Sequence, residues 1–359
     1  MTSRPLISRR ALCARALALG CAGVTQLLTG CAAPAGTGAH GGAPAGAATT
    51  GSSAHEEQDA LVQRTFFCFD TPCSVGADHA DAVEAAVAQC QEFERLFSRT
   101  IATSDIGRLN AADGAWTQVD PRTVELVRDA LRYAELSDGM FDVSIGGVTE
   151  LWDFHEGVVA DAEALAAALP HVGWQLIQVD AAGSRLRLDD PDTRLDLGGI
   201  AKGYVADQLL DALEAAGATH AFVNLGGNVA VRGGKPDGSA WSVGVRDPHD
   251  EQATIAKASV MSGSVVTSGL YERSFEAGGR RYWHILDPRT GYPVETSVVS
   301  ASVLTERSVD GEGLVKPLFF RPPDDGIAWL EAQGVDGLLV LDDGRILRTA
   351  GSAFQLTGA

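Results

Sequence analysis

Residues 198–203, with the sequence Gly-Gly-Ile-Ala-Lys-Gly, combine the residue types that bind an anion. They follow residues 195–197, whose apolar pattern predicts a strand, and they precede a helical periodicity through Leu209 and Leu213. A glycine-containing loop that opens a helix presents unpaired backbone N–H groups and the positive end of the helix to a ligand. Lys202 adds a point charge, so the stretch is consistent with a phosphate site or with a tight structural turn. It matches neither the dinucleotide-binding fingerprint nor the P-loop sequence.

His284 lies in a second stretch with the residue types of an active site. It alternates with apolar neighbours and precedes the turn sequence Asp287-Pro288, which predicts a position at the end of a strand. A histidine there can transfer a proton or contact a phosphate at neutral pH, and it can also be a structural residue. Ser268 lacks the Gly-x-Ser-x-Gly context of a serine hydrolase, so we set that class aside.

A third stretch, residues 224–228, places two glycines between predicted strands. Such glycines form a bulge or allow a ligand to approach the backbone closely. Trp152 and Phe154 have the pattern of core residues, and no Cys or His spacing in the sequence matches a zinc site. The candidate chemistry is therefore that of an anionic ligand rather than of a zinc centre.

The elements that must position these stretches mix helices and strands without strict alternation. Patterning predicts helices at 79–97 and 325–333, a helix that starts at Asp120-Pro121, a hairpin at 176–179 and 186–188, and strands at 66–75, 221–225, 229–231, 241–245 and 337–341. This order favours an α+β fold, with mixed or antiparallel sheets and packed helices, over a doubly wound parallel sheet.

The composition restricts the partners and the redox chemistry of the chain. The 359 residues carry a net charge of −19, and the charged residues among the first 31 are four arginines. Without that segment the net charge is −23, so phosphate backbones are repelled and no nucleic-acid partner is expected. Beyond residue 31 the cysteines are Cys68, Cys73 and Cys90, which are consistent with one disulfide and a free thiol or with three buried thiols.

The first 31 residues predict an export and lipoprotein signal. A basic start and a short, interrupted apolar run lead to Leu28-Thr29-Gly30-Cys31, which resembles a bacterial lipobox whose cysteine is acylated. The alternative, a single membrane span, requires about 20 apolar residues. Residues 32–57 predict a flexible tether, and residues 58–359 predict the functional domain. We expect an exported protein that is lipid-anchored through Cys31 to a bacterial membrane and faces the periplasm.

The order and spacing of six blocks resemble the ApbE family of FAD:protein FMN transferases. The resemblance runs from about Phe66 to Leu347. The blocks that carry it are residues 97–110, 141–154, 196–204, 223–228, 267–269 and 284–291. The resemblance implies the α+β fold of that family, with FAD as a substrate and Mg²⁺ as a cofactor.

The resemblance also assigns roles to individual residues. Asp196 and Lys202 would contact FAD, and the backbone carbonyl of Gly199 would bind Mg²⁺. His284 would be the catalytic residue that assists the attacking hydroxyl. The flavin pocket would be lined by Phe69, Thr100, Phe141, Asp142 and Leu286. Thr100 stands where many members of the family carry a tyrosine that stacks on the flavin.

The implied activity is the transfer of FMN from FAD to a Ser or Thr hydroxyl of an exported or membrane flavoprotein, with release of AMP. In phosphoryl transfer, the diphosphate must be aligned with the attacking hydroxyl, and its negative charge must be neutralised. A metal ion and the backbone amides at a helix end can do both. Two alternatives remain. One is an accessory lipoprotein that binds flavin without catalysis, and the other is an FAD pyrophosphatase that uses water as the acceptor.

The metal ligands depart from the family pattern. In the family, an Asp and a Thr four residues later bind the metal, and these positions fall on Glu312 and Lys316 here. Glu312 retains a carboxylate, and Asp310, two residues earlier, is a second candidate ligand. An ammonium group cannot ligate a cation. We therefore expect either a rearranged Mg²⁺ site or a site in which Lys316 replaces part of the charge of the metal.

Overall fold

The structure, a computed structural model, describes residues 61–250 and 252–357. The predicted signal at 1–31, the tether at 32–57 and the lipid anchor at Cys31 lie outside the described residues, so they remain predictions. Among the helices in these two ranges, none is both long and apolar enough to cross a bilayer.

The described residues contain sixteen strands and eight α-helices. The strands are β1 (Val62–Cys68), β2 (Thr71–Ala77), β3 (Thr117–Gln118), β4 (Ile177–Asp180), β5 (Arg185–Leu188), β6 (Ala221–Leu225), β7 (Asn228–Arg232), β8 (Trp241–Arg246), β9 (Thr254–Val260), β10 (Gly263–Gly269), β11 (Ser274–Ala277), β12 (Arg280–Trp283), β13 (Val298–Thr305), β14 (Asp336–Leu341), β15 (Ile346–Arg348) and β16 (Phe354–Leu356). The helices are α1 (Ala80–Phe97), α2 (Asp105–Asn110), α3 (Pro121–Leu136), α4 (Gly146–Thr149), α5 (Ala162–Ala168), α6 (Ala201–Ala215), α7 (Ser308–Val315) and α8 (Pro323–Ala332). A 3-10 segment, Lys316–Phe320, continues α7 directly.

Eight strands form one antiparallel sheet in the order β1-β2-β6-β7-β10-β13-β14-β15. Three smaller antiparallel sheets have the orders β3-β5-β4, β16-β9-β8 and β11-β12. Helices pack on the large sheet, so the predicted α+β class with antiparallel sheets is confirmed.

Several predicted elements are confirmed where the local signal is strong. The helix predicted at 79–97 is α1, and the hairpin predicted at 176–179 and 186–188 is the β4–β5 pair. Helix α3 begins as expected after Asp120, whose carboxylate accepts a hydrogen bond from the backbone N–H of Arg122 at 2.9 Å. Pro121 occupies the first helical position, where its missing N–H costs nothing.

Helices α1 and α6 pack together over the first strands of the large sheet and form the centre of its core. The ring of Tyr204 on α6 lies edge-to-face with Phe93 and Phe97 of α1, with centroids 6.0 and 5.9 Å apart. The Tyr204 hydroxyl also donates a hydrogen bond to the Glu125 carboxylate of α3 at 2.7 Å. The first turn of α6 is therefore fixed from two sides.

The three cysteines of the described residues lie in this core. Cys68, Cys73 and Cys90 are free thiols and are almost completely buried. Burial raises the pKa of Cys73 to about 12, so its thiol is protonated at physiological pH. The structure therefore favours buried thiols over the alternative of a disulfide.

Helix α7 lies against α6 at Gly203, where there is no space for a side chain. A Cβ atom at Gly203 would lie 2.6 Å from the backbone oxygen of Ser308 and 2.7 Å from Cγ of Glu312. Asp207, one turn later on α6, accepts hydrogen bonds from two backbone N–H groups at the start of α7, at 2.7 and 3.0 Å. These contacts fix the position of α7 and bring Glu312 next to Lys202.

The single strand predicted at 66–75 is wrong, because the chain turns back within it. Strands β1 and β2 form a hairpin whose two loop residues, Phe69 and Asp70, have φ angles of 51° and 57°. Positive φ at both central residues is typical of a type I′ turn, which Asn and Gly usually form, so the sequence lacks the usual signal. The Phe69 N–H donates a hydrogen bond to the Glu94 carboxylate at 2.7 Å, and this contact stabilises the turn.

The strand predicted at 195–197 is also wrong, because tertiary contacts replace a strand partner. The backbone N–H and carbonyl of Leu195 both bind the side-chain amide of Asn110, at 2.8 and 2.9 Å. The backbone N–H of Asp196 donates to the carbonyl of Val143 at 2.8 Å. The apolar residues are buried as expected, and the segment carries Asp196 to the start of α6.

We expect Gly203→Ala to lower the free energy of unfolding by about 1–3 kcal/mol, because the added methyl group overlaps with the backbone of α7. Chemical denaturation of the full chain measures this change. The matched control is Gly147→Ala, whose Cβ would meet only Arg194 Cγ at 4.0 Å and which should be neutral or slightly stabilising. Equal stability of Gly203→Ala and the parent protein would contradict the close approach of the two helices.

Candidate active site

Glu312 lies at the centre of the candidate site, and each of its carboxylate oxygens faces a donor. Only 2% of the residue is exposed. Lys316, one turn later, forms an ion pair with Oε2. Oε1 accepts a hydrogen bond from Asn228 Nδ2 at 3.1 Å and lies 3.6 Å from Lys202 Nζ. The carboxylate is therefore shared by two ammonium groups, and we call these three ionic side chains the Lys–Glu–Lys cluster.

Lys202 lies in the first turn of α6, as the sequence predicts. Burial and the positive charge of Arg273 lower the pKa of Lys202 to about 8. Burial and the charge of Lys202 also lower the pKa of Lys316, whereas the ion pair with Glu312 favours its charged form. The side chains of Lys202 and Lys316 remain 24% and 18% exposed. An anionic ligand at this helix end can therefore contact both ammonium groups.

Gly199 lies between Phe141 and Lys316. A Cβ atom at Gly199 would lie 3.2 Å from Cε2 of the Phe141 ring and 3.9 Å from Cε of Lys316. The loop before α6 therefore runs directly beside the Lys–Glu–Lys cluster. Among the sequence-predicted residues, Phe141 thus lies against Gly199 and Gly199 beside Lys316, whereas Lys202 lies against Glu312 itself.

His284 follows directly after β12, at the strand end that the sequence predicts. Its backbone N–H donates to the carbonyl of Arg273 at 3.1 Å, and its Nδ1 atom is buried without a hydrogen-bond partner in the described part of the chain. Burial, together with the positive charges of Arg273, Lys202 and Lys316, lowers the pKa of His284 to about 3. The imidazole is therefore neutral at physiological pH, and one ring nitrogen can accept a proton.

Asp196 lies at the start of the loop that leads into α6. Its Oδ1 accepts a hydrogen bond from the Gly198 N–H at 2.8 Å, and its Oδ2 accepts one from the Thr149 hydroxyl at 3.0 Å. Arg99 Nε forms an ion pair with the same Oδ2, also at 3.0 Å. Asp196 therefore ties the loop to α4 and to Arg99.

Phe69 and Thr100 lie at less enclosed positions than the cluster. Phe69 is half-buried in the β1–β2 turn and packs on the main core. Its neighbour Asp70 forms an ion pair with Arg273 at 3.2 Å, and Arg273 is the residue whose carbonyl binds the His284 backbone. Thr100 is exposed. The turn that carries Phe69 is therefore linked to the His284 segment through Arg273.

Asp142 and Leu286 contact parts of the protein outside the Lys–Glu–Lys cluster. The Asp142 carboxylate accepts two hydrogen bonds from Ser144 and one from the Trp174 N–H, at 2.6 to 2.9 Å. Burial raises the pKa of Asp142. Leu286 is buried in a separate apolar cluster that includes Trp152. Neither side chain has a hydrogen bond or ion pair to the two lysines among the contacts of the described residues.

Asp310 is not brought to Glu312. Its Oδ1 accepts hydrogen bonds from the Tyr133 hydroxyl at 2.5 Å and from Arg132 at 2.7 Å, both on α3. Asp310 lines a cavity of about 810 Å³ that contains no other sequence-predicted site residue. Residues two apart on a helix do not share a face. The expectation that Asp310 can act as a metal ligand is therefore not supported.

The residues around Glu312 do not fit a Mg²⁺ site. Mg²⁺ requires oxygen ligands at about 2.0–2.1 Å in octahedral geometry. One oxygen of Glu312 is paired with an ammonium group, and the other faces an amide N–H₂ and a second ammonium group. Across residues 61–250 and 252–357, the one group of His, Cys, Asp or Glu side chains whose ligand atoms lie close enough to share an ion is His171, Asp190 and Asp192, which includes none of the expected ligands.

Comparison with known proteins identifies the family. The model of the ApbE family matches residues 69–339, which is most of the chain. The chain belongs to the ApbE family. An FAD:protein FMN transferase of Treponema pallidum (strain Nichols) is 36% identical over 288 residues, which are 75% of this chain and 80% of that protein. An FAD:protein FMN transferase of Klebsiella pneumoniae (strain 342) is 35% identical over 268 residues, which are 73% of this chain and 83% of that protein.

Solved structures of ApbE proteins have the same fold. The ApbE protein of Thermotoga maritima MSB8 aligns with a TM-score of 0.75 at 31% sequence identity and covers 81% of this chain and 97% of its own. The flavin transferase ApbE of Vibrio cholerae aligns with a TM-score of 0.73 at 26% identity, with the same two coverages. The ApbE-like fold that the sequence blocks imply is therefore confirmed.

Within this ApbE fold, the structure adds three residues to the site. Arg99 and Asn228 lie inside the blocks that carry the resemblance. The sequence signal for Arg99 is its place beside Thr100, and that for Asn228 is its place in the glycine-containing stretch 224–228. Arg273 lies between blocks and has no local signal. It enters the site because the β11–β12 hairpin places it beside His284.

We expect the His284 imidazole to stay neutral from pH 5 to pH 8. Burial and the charges of Arg273, Lys202 and Lys316 lower its pKa to about 3, so protonation occurs below that range. An NMR pH titration of the ring protons, assigned by their loss in His284→Ala, measures the pKa. The exposed His249, changed to Ala, serves as the assignment control. A midpoint between pH 6 and pH 7 would contradict the buried, positively charged surroundings.

Proposed function

We propose that this chain is an FAD:protein FMN transferase, which moves the FMN part of FAD onto a hydroxyl group of an acceptor protein and releases AMP. The observation that carries the proposal is the meeting of two ammonium groups, Lys202 and Lys316, at the Glu312 carboxylate beside the start of α6, near enough to His284 for their charges to lower its pKa. Two ApbE-family relatives at 36% and 35% identity are FAD:protein FMN transferases.

The start of α6 suits the diphosphate that joins the FMN and AMP parts of FAD. The unpaired N–H groups and the dipole of a helix N-terminus favour negative charge. The two ammonium groups of the cluster add positive charge at the same end of the helix. In phosphoryl transfer, the protein contributes mainly by positioning the phosphates and neutralising the charge on their oxygens. The groups that bind FAD therefore also stabilise the transition state.

His284 supplies the acid–base step. The negative diphosphate of bound FAD offsets the charges of Lys202 and Lys316 that lower the pKa of His284 in the free chain. The neutral imidazole then accepts the proton of the acceptor hydroxyl as its oxygen attacks the phosphorus on the FMN side of FAD. The bond from this phosphorus to the AMP oxygen breaks, and AMP leaves with the electron pair. The products are a phosphoester of FMN on the acceptor and AMP, and the proton on His284 returns to solvent.

We assign the remaining predicted residues to the binding of FAD. Asp196 lies at the loop that opens α6, and the Phe141 ring lies against Gly199 of the same loop. Phe69 precedes Asp70, which pairs with Arg273, and Thr100 follows Arg99, which pairs with Asp196. Asp142 holds the neighbouring loop at Trp174, and Leu286 belongs to the neighbouring apolar cluster. Both residues therefore contribute to the surroundings of the site and not to the Lys–Glu–Lys cluster.

The acceptor is an exported or membrane flavoprotein that presents a Ser or Thr hydroxyl. The support is the sequence of residues 1–31, which has the pattern of a lipoprotein signal that ends at Cys31. A lipid on Cys31 and a flexible tether at 32–57 would place the enzyme at the periplasmic face of a membrane, within reach of such an acceptor. The net charge of −19 argues against a nucleic-acid partner.

We assign no Mg²⁺ to the mechanism, although the family resemblance implies it. The reason is the donor set, because both oxygens of Glu312 face nitrogen donors and an ammonium group stands at the second ligand position. Each step described above uses only groups of the chain, FAD and the acceptor.

Incubation of the full-length chain with FAD and an acceptor protein should add the mass of one FMN group to the acceptor. We expect His284→Ala to slow the transfer by at least about 100-fold, because loss of a general base costs about 10²–10⁴-fold in rate. His249→Ala, at an exposed histidine outside the site, should retain the parent rate. Intact-mass spectrometry of the acceptor and quantification of AMP measure both products.

The same experiment separates the alternatives. The acceptor is chosen so that the Klebsiella pneumoniae transferase flavinylates it in a parallel reaction. Free FMN and AMP without a labelled acceptor would indicate an FAD pyrophosphatase. Bound FAD without turnover would indicate a flavin-binding module. Either result would overturn the transferase assignment.

A further inference from the structure

Lysine is rare in this chain, and half of its lysines meet at one carboxylate. Of the 28 basic residues, four are lysines: Lys202, Lys235, Lys257 and Lys316. Lys202 lies at the start of α6 and Lys316 at the end of α7, yet both lie against Glu312. An ammonium group is a compact point charge with three donors, in contrast to the planar guanidinium of arginine. The site therefore concentrates the side-chain group that most resembles a small cation.

Lys316 lies between the two residues that the family resemblance assigns to the metal. Its Nζ pairs with the Glu312 carboxylate, and its Cε lies 3.9 Å from the Cβ position of Gly199. The side chain is 18% exposed, so part of it borders the open space of the site. The Lys316 side chain thus fills the space between Gly199 and Glu312.

We propose that Lys316 takes the place of the divalent cation: together with Lys202 it binds the diphosphate of FAD, so that the transfer of FMN requires no metal ion. This inference rests on the proposed function. Lys316 is then a catalytic residue, because its ammonium group contacts the oxygens of the reacting phosphate. The bond changes are those given above, and no further reactant is needed.

Glu312 acts as a positioning residue in this arrangement. It is buried, and Asn228 Nδ2 donates to Oε1 at 3.1 Å, so the carboxylate is fixed while it holds both ammonium groups. The cluster carries one negative and two positive charges, which leaves one net positive charge for the diphosphate. A neutral side chain of the same shape at position 312 would leave both ammonium groups available to FAD.

The first test compares transfer in excess EDTA with transfer in added Mg²⁺, using the full-length chain, FAD and the acceptor described above. We expect the two rates to agree within about twofold. Lys316→Met should lower the rate by about 100-fold, as the loss of one charge-stabilising donor does in other enzymes. Lys316→Arg should recover part of the loss, and Lys257→Met, at an exposed lysine on β9, should leave the rate unchanged.

Two variants separate the role of the charge from an effect on folding. Lys316→Met leaves Glu312 buried with one ion pair fewer, which destabilises a protein. The double variant Glu312→Gln with Lys316→Met removes the buried charge as well, so it should fold. Its rate should be about 100-fold lower than that of Glu312→Gln, from which it differs only by the Lys316 ammonium group. Glu312→Gln alone keeps both ammonium groups and should lose less than about tenfold, whereas removal of a metal ligand would abolish a metal-dependent reaction. Thermal unfolding verifies that each variant is folded.

The second test measures binding rather than activity. Flavin fluorescence gives the dissociation constants of FAD and of riboflavin, which lacks the diphosphate, in EDTA and in Mg²⁺. We expect FAD to bind the parent chain equally well in both solutions. It should bind the double variant about tenfold more weakly than Glu312→Gln, because these two variants differ by the charged contact of Lys316 alone. Riboflavin should bind the parent chain and the double variant equally.

The outcomes are distinct. Transfer that EDTA abolishes and Mg²⁺ restores would overturn the inference, as would a loss in Glu312→Gln equal to that in Lys316→Met. If the parent chain transfers no FMN while the Klebsiella pneumoniae enzyme does, the proposed function fails and the binding test decides the role of Lys316. FAD binding that is weaker in the double variant than in Glu312→Gln, measured in EDTA, then supports the inference. FAD binding that requires Mg²⁺ overturns it.

Discussion

The close contact of α6 and α7 at Gly203 determines where the charged groups of the site lie. Because no side chain separates the helices there, Glu312 comes within 3.6 Å of Lys202 although the two residues are far apart in sequence. The aromatic contacts of Tyr204 hold α6 against α1, and Asp207 holds the start of α7. The large sheet and its core therefore hold the N-terminus of α6 next to the buried carboxylate of Glu312.

The electrostatics of the site follow from that contact. A buried carboxylate is stable only when its charge is compensated, and here two ammonium groups compensate it. Their excess positive charge favours an anionic ligand and disfavours a proton on the nearby imidazole of His284. A bound diphosphate neutralises these charges, which removes the electrostatic penalty on a proton at His284. Binding of the anionic substrate therefore also makes the imidazole a stronger base.

The sequence predicts the parts of this site that depend on local pattern. Lys202 and His284 could be placed because a glycine loop before a helix and a strand end before an Asp-Pro turn are local signals. The β1–β2 turn was missed because Phe69 and Asp70 take left-handed conformations without a glycine. The segment 195–197 was misassigned because an asparagine side chain takes the place of a strand partner. The pairing of Glu312 with Lys202 and the orientation of Asp310 toward α3 depend on how the helices pack. No local sequence pattern predicts that packing.

The Glu312–Lys316 pair constrains how this site can change in evolution. The two side chains lie one helical turn apart and compensate each other in a buried position. A single substitution toward a metal-binding residue at 316 removes the ammonium group that compensates Glu312, so the buried carboxylate then depends on a bound cation for compensation. An ammonium-based site therefore keeps its buried carboxylate compensated without any ligand, whereas a metal-based site depends on the supply of the cation for part of its stability.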